Sequence, residues 1–228
     1  CVSVFALTCG DAQEVFAQAR GFDPQDPYSR RGSAAAAPAF STRSFRFGLP
    51  AAPKLEFFGD AEAEGQFRLA VDRLRELGGT PVEIDFVPFA ETAALLYQGP
   101  WVAERLSAIK DFMDAHAGEM HPVTRQIISG ASRFTAVDAF EAEYRLQSLR
   151  QRCAAVWDGI DVLAVPTTGT IYTQEEIAAE PVAHNTRLGY YTNFVNLLDL
   201  AAVAVPSGFR GDGLPAGITL IAPAGPDL

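Results

Sequence analysis

Two periods of apolar spacing run through this chain, and the switches between them mark its elements. Phe67, Val71, Leu74 and Leu77 recur at helical spacing, which predicts a helix over 62–77, closed by the pair Gly78-Gly79. Phe45–Leu49 before it reads as a strand stopped by Pro50, and Val82–Val87 after it as a second strand. Strand, helix and strand at this spacing predict a parallel crossover. Ile160–Val165 is an almost unbroken apolar run that Pro166 ends, the pattern of a central strand buried on both faces.

The remaining segments fill in around that frame. Cys1–Leu7 predicts an opening strand, and Thr8-x-x-Asp11 is a capping-box-like start to a short helix that Gly21 ends. Residues 22–44 hold Pro24, Pro27, Pro38 and the run Ala34–Ala37, and predict a surface loop, mobile near Gly32–Ala37. Residues 90–157 read as mostly helical, with Pro100 in the first turn of one helix and Gly99 as its cap. A later helix over about 135–157 carries Val137, Phe140, Tyr144, Leu146, Leu149, Cys153 and Val156. The last third predicts a helix near 187–198, then strands Ala201–Val205 and Gly217–Ile221 around a turn at 208–215. The expected fold is a single α/β domain over 1–228, a mixed, mostly parallel-type sheet covered by helices on both sides. A chain that opens inside a strand also reads as part of a longer one.

Composition narrows the function classes. The chain has 228 residues, of which 48% are hydrophobic and 20% charged, which excludes a disordered chain. No apolar run approaches the roughly 18 residues of a membrane span, so no membrane role is expected. The formal charge is −10, with no basic cluster beyond Arg30–Arg31, which argues against nucleic acid as a partner. Three cysteines without a C-x-x-C spacing read as reduced thiols of a cytoplasmic protein. His116 and His121 are five apart rather than four, and His184 stands alone, so no metal site is expected. Dinucleotide and phosphate-loop motifs are missing, and no cofactor is expected.

Three arrangements remain as candidate chemistry. Ser107-x-x-Lys110 has the spacing by which a lysine activates a serine one turn away, but on a helix this is first of all a solvated face. Ser129 and Ser207 each precede a glycine with no base nearby in sequence. Tyr97 and Arg105 flank Gly99-Pro100, about 12 Å apart if the path were helical throughout. Two long side chains at that spacing can converge on one small ligand: the guanidinium binds a carboxylate with two parallel hydrogen bonds and the phenol donates a third. An acidic protein that takes an anionic ligand needs such a fixed cation.

Several segments resemble the amidase signature family and, within it, the allophanate hydrolases. They are Cys1–Leu7, Asp26–Arg30, Tyr97–Arg105, Asp161–Thr173 and above all Tyr191–Ala222, which together span almost the whole chain. The last is long and specific for the broad family, whereas Tyr97–Arg105 points to allophanate. The resemblance implies an amidase signature fold, incomplete on its N-terminal side. It also implies amide hydrolysis by a serine, a second serine in a cis peptide and a lysine, with ammonia released in urea or triazine nitrogen assimilation. No segment of this chain matches the Gly/Ser-rich and lysine stretches that carry those three groups. No catalytic residue is therefore expected here, and the chain alone is expected to be inactive. Tyr97 and Arg105 match the pair that holds the substrate carboxylate. The implied partners are allophanate, the N-terminal half of the amidase domain and a second copy in a homodimer. The alternatives are an amidase for another small amide, or a non-catalytic remnant. Gly169 departs from the pattern, standing where a proline is expected.

Overall fold

The structure is a computed structural model that describes residues 3–31 and 44–224. Helix α1 (Cys9–Ala19) starts at Thr8, whose hydroxyl accepts the Asp11 N–H. Strand β1 (Phe45–Pro50), helix α2 (Ala61–Glu76) and strand β2 (Gly79–Ile84) make the expected crossover, with β1 and β2 parallel from Phe45–Gly79 to Pro50–Ile84. Helices α3 (Val87–Gln98), α4 (Trp101–His116), α5 (Pro122–Ser129) and α6 (Ala136–Ala154) follow. Strand β3 (Val162–Pro166) then returns to the sheet, parallel to β1. Helices α7 (Gln174–Ala179) and α8 (Pro181–Leu188) lead to the hairpin of β4 (Leu200–Phe209) and β5 (Pro215–Pro223).

The sheet order is β2-β1-β3-β5-β4, and β5 pairs antiparallel with both β3 and β4. The mixed α/β sheet is the expected class, and its pairings divide into two parallel and two antiparallel. Side chains alternate across β3, so Leu163 and Val165 enter one core while Ala164 faces the other. On the first face Phe86 stacks on Phe89 with centroids 5.6 Å apart, and Phe194 meets Phe89 edge-on at 5.1 Å. Leu146 and Cys153 of α6 close that core. On the second face Phe67, Ala70, Val71 and Leu74 of α2 cover Phe45 and Phe47. Phe67, Val71 and Leu74 are positions whose helical period marked α2 in the sequence; Leu77, the fourth, is exposed as the C-cap residue.

Three expectations are corrected. The opening strand does not form: residues 3–8 have no regular structure, and Phe5 and Leu7 are almost wholly exposed, while Cys1 and Val2 lie outside the described residues. A strand needs a neighbour for its N–H and C=O groups, and no described strand lies beside it. Strand β2 sits earlier than 82–87, because the Asp85 carboxylate accepts the Val87 N–H and Pro88 starts α3 there. The helix near 187–198 stops at Leu188, and residues 189–199 are turns. That segment is pulled out of helical register by Tyr191, whose buried hydroxyl accepts from Glu56 N at 2.6 Å and donates to Glu56 O at 3.0 Å. The helix expected over about 135–157 forms as α6, with Leu146, Leu149 and Cys153 buried and Val137, Phe140 and Tyr144 facing solvent. Of the 22–44 loop, 22–31 and Ser44 carry no helix or strand. The expected mobility near Gly32–Ala37 lies outside the described residues.

Cys9 is exposed and Cys153 buried. Burial pushes the Cys153 thiol up to about 12, and a hydrogen bond with Thr92 and the Arg152 charge offset only part of that. Only the thiolate reacts with alkylating agents. In native protein at pH 8, iodoacetamide followed by peptide mass spectrometry is expected to label Cys9 and leave Cys153 free until denaturant is added. Equal labelling of the two in native protein would contradict this core.

Candidate functional site

The corner between α3 and α4 is built by its sequence. The Gly99 N–H closes α3 on Leu95 O at 2.9 Å, and a Cβ at Gly99 would stand 2.6 Å from that same carbonyl. Glycine is therefore needed for so tight an end. Pro100 follows as the residue that caps α4, rather than lying in its first turn with Gly99 as cap. The reversal carries Arg105, in the second turn of α4, back over Tyr97 in the last turn of α3. The guanidinium carbon lies 5.0 Å from the Tyr97 ring centroid. The two side chains do converge, through a corner between helices rather than along one axis.

Arg105 has no ion pair and no side-chain hydrogen bond with any described residue, and neither does the Tyr97 hydroxyl. Tyr97 is exposed and Arg105 half-buried. A guanidinium backed by an aromatic face, its N–H donors unused, suits a planar monoanion, and a carboxylate takes two of those donors at once.

The other candidates are placed elsewhere. Lys110 pairs with Asp114 on the exposed side of α4, and Ser107 makes no contact with it. Ser207 is buried in β4, where its carbonyl accepts from Arg73. Among the described residues no serine hydroxyl is hydrogen-bonded to a lysine or histidine. His116 pairs with Glu119 at 2.9 Å, and His184 stacks on Tyr172 at 4.0 Å with its Nδ1 2.8 Å from Glu176 O. No group of three metal-ligating side chains converges among the described residues. No described helix is long and apolar enough to cross a membrane.

Two features escaped sequence reasoning. A groove of about 380 Å³ lies between the start of α5, at His121 and Val123, and the α7 region, at Tyr172, Ile177 and Pro181. The helix α7 itself was signalled by Thr173 and Glu176, which form a full capping box. The second feature is an ion network. Arg210, in the turn between β4 and β5, donates to Asp60 at 2.9 Å and lies 3.2 Å from Asp212 and 3.4 Å from Glu62. Asp60 also caps α2 by accepting from Ala63 N at 2.9 Å, and accepts from the Thr170 hydroxyl at 3.0 Å. Burial raises the Asp60 pKa, but these hydrogen bonds and the Arg210 charge outweigh it and hold the carboxyl below the usual range. Gly169, beside Thr170, packs against the Glu56 carbonyl and the Phe58 ring where a side chain would not fit, which accounts for its departure from the expected proline.

With this geometry in hand, similarity to known proteins decides the family. The family model described as Amidase matches residues 1–228. The chain belongs to the amidase family. It is 43% identical to the urea amidolyase of Saccharomyces cerevisiae over 224 residues, which are 97% of this chain and 12% of that protein. An amidase of Pseudomonas putida is 33% identical over 210 residues, covering 85% of this chain and 43% of that protein. Among solved structures, an allophanate hydrolase of Kluyveromyces lactis superposes with a TM-score of 0.92 at 42% identity, over 98% of this chain and 36% of that one. The chain thus spans about a third of this solved amidase and about an eighth of the yeast urea amidolyase. The incomplete amidase signature fold expected from the sequence agrees with that superposition.

Proposed function

We propose that this chain is the substrate-recognising portion of an allophanate hydrolase, with Arg105 and Tyr97 holding the substrate carboxylate. The observation that carries this reading is the Arg105 guanidinium, laid over Tyr97 at the α3–α4 corner and without an ion pair among the described residues. The similarity to allophanate hydrolase and urea amidolyase over nearly the whole chain supports the substrate class. Fixing one end of a small amide leaves its far carbonyl in a constant place, and that positioning lowers the entropic part of the barrier. The attacking serine, the second serine and the lysine come from a segment outside these residues, since no stretch here matches them. Water then completes hydrolysis, with ammonia as the leaving amine and a carboxylate left on the acyl side. The reading includes a cytoplasmic setting, consistent with the free thiols Cys9 and Cys153, and a homodimer.

Malonate and malonamide separate a charged from a neutral substrate. In the complete enzyme, malonate is expected to compete with substrate at a concentration at least about tenfold lower than malonamide, the effect of one charge-assisted bidentate contact. Equal inhibition, or tighter binding of malonamide, would favour an amidase for uncharged amides and remove the carboxylate role from Arg105.

A further inference from the structure

The groove between α5 and α7 has apolar walls and a cation at its edge. Val123, Ile177, Ala178 and Pro181 line it with uncharged side chains, and Tyr172 adds an aromatic ring. Gln174, Ile177 and Ala178 share one face of α7. At about 100° per residue, Glu175, Glu176 and Glu180 fall off that face, so the acids of this segment are turned from the groove. Its volume of about 380 Å³ lies within the roughly 300–1,000 Å³ of small-ligand sites.

The Tyr172 ring is fixed along α8. It stacks on His184 with centroids 4.0 Å apart, and its hydroxyl accepts from the Arg187 guanidinium at 3.4 Å. Arg187, exposed in the last turn of α8, also lies over the Phe58 ring, 5.6 Å from its centroid. It forms no ion pair with any described residue, although the Glu180 charge acts on it from a distance. Phe58 itself has a left-handed backbone, with a φ of 54°. Tyr190 meets its ring edge-on at 6.0 Å, and Gly169 packs against it. That conformation is strained for phenylalanine, and strain of this kind clusters at ligand clamps.

We propose that this groove binds a small monocarboxylate with a compact apolar body, the body against Tyr172, Ile177 and Pro181 and the carboxylate on Arg187. Charge complementarity singles out this ligand. Arg187 is one hydrogen bond from the groove lining, and its planar fork has donors beyond the one given to Tyr172. A neutral amide would leave the guanidinium without a charged acceptor. A dicarboxylate would have to bury its second charge against apolar walls, at a large desolvation cost. The groove therefore selects a different ligand class from the Arg105 site, whose proposed substrate is small and has no apolar body.

Calorimetric titration of the complete enzyme with phenylacetate tests this, with and without an excess of malonate. The expected Kd is on the order of 0.1–1 mM, unchanged by malonate and at least about tenfold weaker for phenylacetamide. Arg187→Gln is expected to weaken phenylacetate at least about tenfold by removing the charge. Ala178→Trp, which fills the groove from an exposed position, is expected to abolish binding. Both changes lie on the surface, so the thermal midpoint should stay where it is in the parent. No binding up to about 10 mM, equal affinity for acid and amide, displacement by malonate, or parental affinity in either variant would each overturn the proposal. If the Arg105 reading fails, malonate is merely inert in this titration, so the groove and the Arg105 site stand or fall separately.

Discussion

Replacing Arg105 with alanine in the complete enzyme is expected to raise KM for its carboxylate-bearing substrate about 10- to 150-fold. A hydrogen-bonded charged contact contributes about 1.5–3 kcal/mol, and among the described residues none takes up the Arg105 donors. The loss should fall mainly on KM. In the proposed role Arg105 grips a group remote from the scissile bond, and an interaction made equally in ground and transition states leaves kcat little changed. Arg105→Lys is expected to recover only part of the loss, because an ammonium is a point charge without the planar fork. Tyr97→Phe keeps the ring under the guanidinium and removes only the phenol, so its effect should be smaller than that of Arg105→Ala. Stability is a built-in control. With no ion pair to described residues, Arg105→Ala should leave the thermal midpoint nearly unchanged. An unaltered KM in a folded Arg105→Ala enzyme would end the assignment.

Arg210→Ala is expected to produce the largest loss of stability, about 2–3 kcal/mol, below the roughly 3–5 kcal/mol of breaking a fully buried ion pair from one side because this pair is part-buried. The Arg210 and Asp60 side chains are only 11% and 14% exposed. Asp60 ties three parts of the chain together: the start of α2, the loop after β3 through Thr170, and the β4–β5 turn through Arg210. Without Arg210 its carboxylate keeps two neutral donors and no cation. At about 2–4 °C per kcal/mol for a domain of this size, the midpoint should fall by roughly 4–12 °C. Asp60 also fixes the sign of the pH dependence. Its folded-state pKa is held below its unfolded value, so its contribution is present above about pH 4 and fades as pH falls through the folded value. The gap between parent and Arg210→Ala should therefore narrow in acid, and the variant should begin to unfold at a higher pH than the parent. Urea titrations at pH 7 and at about pH 3 check both statements. A loss below about 1 kcal/mol at pH 7, or a gap constant between the two pH values, would show that the network does not hold the hairpin to α2.

Local chemistry made much of this molecule legible. The apolar period of α2, closed at Gly78, and the unbroken run before Pro166 located the crossover and the central strand close to where the structure has them. Thr8 and Asp11 started α1 as their spacing required. Tyr97 and Arg105 could be singled out because Gly99-Pro100 announces a break between two helices, although the corner that stacks one on the other was not foreseeable. Where sequence reasoning failed, a distant partner had decided. Residues 190–198 carry helical spacing yet fold as turns, since Tyr191 reaches Glu56, 135 residues earlier in the chain. The apolar residues of α6 identified a helix but not which of them are core: a single helix face cannot bury both Leu146 and Phe140 against one sheet.

The amino-acid sequence by itself determined the family, the α/β class and the strand–helix–strand crossover from β1 to β2 with the central β3, because periodicity, caps and glycine stops act over one or two turns of chain. Only the tertiary structure decided which apolar stripe is covered, which arginine is locked in a network and which stands open. Arg105 and Arg210 are the same residue type in the same acidic chain. One meets Asp60, 150 residues away, while among the described residues the other has no ion pair and lies over the face of a tyrosine. Burial and pairing are properties of the packed neighbourhood, and that neighbourhood is assembled from segments whose meeting no local pattern encodes.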